Sequence, residues 1–63
     1  MAKYAEALVR EELAKVIREE DIEQWLRQPN RMLESETPMH LIENGNADKV
    51  LSLIDALAEG VSF

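Results

Sequence analysis

From Asn46 onward the chain places Ala47, Val50, Leu51, Ile54, Leu57, Ala58 and Val61 at intervals of three and four. That interval gathers them on one side of an α-helix, with Asp48, Ser52, Asp55 and Glu59 opposite. A helix with a single apolar stripe does not hold its shape alone in water, so the stripe has to be buried against other elements. The remaining sequence offers only more helices as partners. Nothing alternates with a period of two over more than a few residues, and β-branched residues are few.

Residues 2–19 read as the first of these partners. They contain no Gly or Pro, are dominated by good helix formers, and carry a stripe of Ala2, Ala5, Val9, Leu13, Val16 and Ile17. Tyr4 and Leu8 lie one turn apart on a flanking face, which is either a widening of the core face or a second contact surface. Asp21 then has the form of a new N-cap, with Gln24 three residues on as its reciprocal partner. Ile22, Trp25 and Leu26 follow on one face, and Pro29 disfavours helical geometry at Gln28. Residues 29–36 read as a loop pinned by Met32 and Leu33. Thr37-Pro38 supplies an N-cap and a proline at the first helical position, Leu41 and Ile42 an apolar edge, and Asn44-Gly45 a stop. Asn46 is the expected cap of the last helix, which should end near Gly60.

The fold class expected is therefore all-α: a bundle of about four helices. An N-terminal amphipathic helix (residues 1–20) leads into a unit of short helices and a longer C-terminal helix (residues 21–63), the whole forming one compact body. A chain of 63 residues buries only about 60% of its unfolded surface. Its margin of stability is thin, and a homodimer or a bound partner would widen it.

Charge narrows the partners. The net charge is −6, and the seven basic residues are scattered at 3, 10, 15, 18, 27, 31 and 49, so no basic face is available for phosphates. Direct nucleic-acid binding is not expected, whereas a basic protein surface suits the charge. No apolar run approaches the roughly 18 residues of a membrane span, and MAKYAEALVREE is too charged for a secretory leader. A cytoplasmic protein is the expectation. Without cysteine there is neither a disulfide nor a thiolate metal site.

Nor does the sequence supply an enzyme. His40 is the only histidine and sits on a helix surface, the carboxylates follow polar helix faces, and Gly45 and Gly60 make no phosphate loop. Glu19, Glu20 and Asp21 form an acidic run where a helix start favours acids anyway. No catalytic residue, cofactor or metal is assigned. Trp25, the single Trp, is either a core anchor or an interface residue. Phe63 has three destinations: folded back on the bundle, packed in a dimer, or inserted in a partner's pocket.

The stretch WLRQPNRMLESETPMHLIENGNADKVLSLIDALAEG resembles the toxin-binding domain of the Xre/MbcA/ParS-like bacterial antitoxins. The resemblance is carried by Trp25-Leu26, Pro29-Asn30, Leu33, Thr37-Pro38, Gly45, then Val50, Leu53 and Ile54, and Gly60, over roughly residues 20–61. It implies a non-catalytic protein that neutralises a toxin bearing a RES domain, akin to ADP-ribosyltransferases, by covering the entrance to its NAD-consuming site. By position, the contacts implied are Glu59, Gly60, Val61, Ser62 and Phe63. Two departures stand out. The family usually has Gly after the Leu and often a basic residue before Thr-Pro, where this chain has Glu34, Ser35 and Glu36, so the turn is expected to avoid positive φ. Family members also commonly carry an N-terminal DNA-binding domain, for which residues 1–20 are too short. The alternative is a structural or adaptor module that dimerises through its first helix, of phage or mobile-element type, without a toxin.

Overall fold

The computed structural model describes residues 2–60, with side chains from Tyr4 onward. Four α-helices run in the order α1 (Ala2–Leu13), α2 (Glu19–Arg27), α3 (Pro38–Glu43) and α4 (Ala47–Ala58), with a 3-10 turn at Arg31–Leu33 before α3. Among the described residues there is no strand, only an isolated antiparallel bridge between Asn30 and Glu36. The all-α bundle expected from the sequence is what forms.

The core is apolar throughout: Val9 and Leu13 from α1, Ile22 and Leu26 from α2, Leu33, Leu41 and Ile42, and Val50, Leu53 and Ile54 from α4. Among the described residues no polar or charged residue is buried, so burial carries no desolvation cost there. Helix α4 is the hub. It packs on α1, on α3 and on the 3-10 turn, whereas α2 packs on α3. That double coverage turns the buried face of α4 toward Leu53 and leaves Leu57 40% exposed at its end. The stripe read from the sequence placed Leu57 inside, and Val61 of that stripe lies outside the described residues.

Helix α1 is shorter than the expected 2–19. After Leu13 the chain tightens, with the Lys15 amide donating to Glu12 and both the Val16 and Ile17 amides donating to Leu13. This brings two adjacent β-branched residues, Val16 and Ile17, against the core together, which a continuing helix would splay by about 100°. Helix α2 then starts at Glu19 behind Arg18, which makes no side-chain cap. The Asp21–Gln24 capping box does not form, because Asp21 already lies inside the first turn. There Glu19, Glu20 and Asp21 face the positive end of the helix dipole instead. The end is as expected: Gln28, ahead of Pro29, is extended at φ −95, ψ 139.

Helix α3 begins with Thr37 Oγ1 accepting from the His40 amide at 3.1 Å and Pro38 in the first turn. It stops in a Schellman arrangement. The Asn46 amide donates to Leu41 O at 2.7 Å and the Gly45 amide to Ile42 O at 3.2 Å, with Gly45 at φ +81. Asn46 is thus occupied in closing α3. It sits at φ −110, ψ 32 and makes no side-chain cap on α4, contrary to the sequence expectation.

Candidate partner-binding surface

Residues 29–37 form the least regular part of the described chain, and it is built from one asparagine. Asn30 Oδ1 accepts from the Met32 amide at 2.9 Å, Asn30 O accepts from the amides of Leu33 and Ser35, and the Asn30 amide donates to Glu36 O. Leu33 is thereby pressed into the core while Met32 is left 54% exposed, so only one of the two expected pins holds the loop. Glu34 and Ser35 take φ +57 and +65. The expectation that a turn without glycine avoids positive φ is wrong. Asn30 closes the turn from both ends, and the two non-glycine residues accept the left-handed geometry it imposes.

This loop, α3 and α4 enclose an open groove of about 750 Å³. Met32, Leu33, Leu41, Leu53 and Ala56 give it an apolar lining, and Glu34, Glu36, Asp48, Lys49 and His40 give it charge or polarity. His40 Nε2 lies 2.9 Å from Asn44 Nδ2 and 3.6 Å from Glu36 Oε1. When that nitrogen accepts from the Asn44 amide it has no proton to offer the carboxylate. Glu34 and Asp48 are in no ion pair among the described residues.

Where α1 meets α2, ion pairs within the chain tie the two helices. Arg10 reaches Glu6 at 3.0 Å and, across to α2, Glu23 at 3.0 Å, and Arg27 holds Glu23 at 2.8 Å. Hydrogen bonds from Arg27 and then Arg10 hold the Glu23 carboxyl below the usual glutamate value of 4.5. The hydrogen bond to Glu6 raises Arg10 above its ordinary value, with Glu23 adding to it and desolvation opposing. Trp25 is partly buried against the core rather than fully enclosed, so it is neither a complete anchor nor an exposed interface residue. Tyr4 is 76% exposed, and Leu8, Leu51 and Ala58 line a smaller groove of about 310 Å³ between α1 and α4. The sequence missed the larger groove, because it is made by three segments whose spacing in the chain shows no pattern.

Of the contact residues implied by resemblance, Glu59 and Gly60 are exposed at the end of α4, with Gly60 at φ +70. Val61, Ser62 and Phe63 lie outside the described residues. The motif residues divide into structural tasks. Leu26, Leu33, Pro38, Val50, Leu53 and Ile54 are buried, Asn30, Thr37 and Gly45 shape the turns, and Pro29 ends α2.

Residues 5–60 match the model of the antitoxin Xre/MbcA/ParS C-terminal toxin-binding domain. The chain belongs to this family. The match begins inside α1, so the family domain takes in the first helix, ahead of the motif that starts near residue 20. The mycobacterial cidal antitoxin MbcA of Mycobacterium bovis is 44% identical over 55 residues, covering 87% of this chain and 49% of that protein. The MbcA antitoxins of two Mycobacterium tuberculosis strains match with the same 44% identity and coverage. The chain spans about half the length of these curated relatives. No solved structure gives a significant match. As an Xre/MbcA/ParS toxin-binding domain, the chain carries its family signature in the turns and core that shape the bundle. Among the described residues no helix is long and apolar enough to cross a membrane, and no cluster of three or more potential metal ligands forms.

Proposed function

We propose that this protein is a non-catalytic cytoplasmic antitoxin that neutralises a RES-domain, NAD-consuming toxin by occluding the entrance to its active site. Membership of a toxin-binding family is the observation that carries this reading. The end of α4 with the residues after it, Glu59, Gly60, Val61, Ser62 and Phe63, is the part assigned to the entrance. An acidic, aromatic-tipped segment suits a pocket made for an anionic, ring-bearing cofactor.

The protein acts as a homodimer in this reading, with residues 1–20 as the amphipathic helix that leads into the toxin-binding unit at 21–63. Tyr4, exposed one turn before Leu8 on α1, supports an apolar contact between two copies. Direct nucleic-acid contact forms no part of the proposal, because the net charge of −6 opposes it.

The test is capture of the tagged protein from a lysate of its source cells, with NAD consumption by the captured protein measured before and after the chain is stripped off. Activity that appears only on stripping is expected. A captured protein equally active in both states, or none that consumes NAD, would move the function to an adaptor or self-assembling module.

A further inference from the structure

We propose that the groove between the 3-10 turn, α3 and α4 docks a basic segment of the toxin, which lays an arginine or lysine stem on the apolar lining and its cationic head on the rim carboxylates. The inference rests on the reading of the chain as a toxin binder, and adds which surface grips the toxin and what chemistry it grips. It assigns a contact separate from the end of α4.

Three observations combine. The volume of about 750 Å³ accommodates side chains from a peptide segment, being in the usual range of roughly 300–1,000 Å³ for ligand clefts. The lining is of two kinds. Met32, 54% exposed, offers aliphatic surface above the buried Leu41 and Leu53, and the methylene stem of a long cationic side chain covers such surface while its head stays polar. Charge then selects the sign of the head. Glu34, Glu36 and Asp48 share the rim with Lys49, which forms no ion pair among the described residues, and with His40, whose Nε2 lies 3.6 Å from Glu36 Oε1. The groove is thus where three carboxylates and the exposed side chain of Met32 share one depression, and a cationic peptide complements both. Nucleic acid and anionic small molecules are repelled by the same rim.

Isotope-labelled protein would be titrated with the capped peptide Leu-Arg-Leu-Arg-Leu and with its counterpart Leu-Glu-Leu-Glu-Leu, following backbone amide shifts. Saturable shifts at Met32, Glu36, Asn44 and Ser52 are expected with the arginine peptide only, weakening as salt is raised. In the E34Q/E36Q/D48N variant, with helicity checked to be unchanged, the affinity should fall about tenfold or more, which corresponds to losing about one good charge-assisted contact. Shifts equal for both peptides, shifts confined to α1 and α2, or none at millimolar peptide would overturn the proposal.

A second arm separates this from the antitoxin reading. If E34Q/E36Q/D48N inhibits a RES-domain enzyme as well as the unaltered chain does, the groove is not the toxin contact and the antitoxin reading stands. If the unaltered chain inhibits no such enzyme yet takes up the arginine peptide in the groove, the toxin is overturned as the occupant.

Discussion

Along the edge where α1 meets α2, Arg10 bridges Glu6 and Glu23 while Arg27 holds Glu23 from the other side. Around the groove formed by the 3-10 turn, α3 and α4, Glu34 and Asp48 form no ion pair among the described residues, and Glu36 has His40 3.6 Å away. The α1–α2 edge uses charge to tie two helices that both pack mainly on other elements, α1 on α4 and α3, α2 on α3. In the groove, Asp48 faces the positive end of the α4 dipole and Glu36 lies beside His40, whereas Glu34 forms no ion pair among the described residues. A chain this small has little stability to give away, and carboxylates gathered beside the exposed Met32 fit the proposed use of the groove by a basic partner segment.

The comparison breaks most easily at the structural edge. Leu26 is fully buried on α2, and Leu26→Ala should cost about 3 kcal/mol, out of a total of roughly 3–9 kcal/mol for a domain of this size. Its urea midpoint should collapse, and a midpoint equal to that of the unaltered chain would remove α2 from the core. Trp25 sharpens the same side. Being only partly buried, Trp25→Ala should cost about 1–2 kcal/mol, less than the 3–5 of an enclosed tryptophan. A larger loss would mean that the ring closes the core after all.

In the groove the expected sign reverses. Glu34 and Ser35 hold left-handed geometry without being glycine, so Glu34→Gly should stabilise the fold by up to about 1 kcal/mol and weaken uptake of a basic peptide. Loss of stability with binding intact would erase the contrast between the two regions. The smallest effect belongs to Glu23. Its folded-state pKa is depressed below 4.5 by Arg27 and Arg10, so its contribution is fully present above the ordinary glutamate range and lost as pH falls through the lowered value. Glu23→Gln should lower the melting temperature slightly at pH 7 and leave it unchanged well below the glutamate range. An equal drop at both pH values would show that charge is not what Glu23 contributes.

Much of the architecture is legible in the sequence where one local interaction decides the outcome. Thr37-Pro38 starts α3, Gly45 stops it and Pro29 closes α2, because each acts on its immediate neighbours. Expectations failed where two local signals competed or where distant elements intervened. Asn46 has the form of a cap but is engaged by Leu41 O in ending α3. Asp21 has the form of a cap, yet α2 begins two residues earlier to bring Ile22 and Leu26 onto the core. The left-handed Glu34-Ser35 pair defies residue preference because Asn30 binds the loop on both sides. The groove had no signal at all. Its lining residues become neighbours only once α4 has packed against α3 and the turn.

The most direct test of the account is to titrate a purified RES-domain enzyme with this chain and follow NAD consumption. The account predicts that consumption falls to background near one equivalent of chain and that the chain alone consumes no NAD. Consumption that continues undiminished in a saturated complex would contradict it.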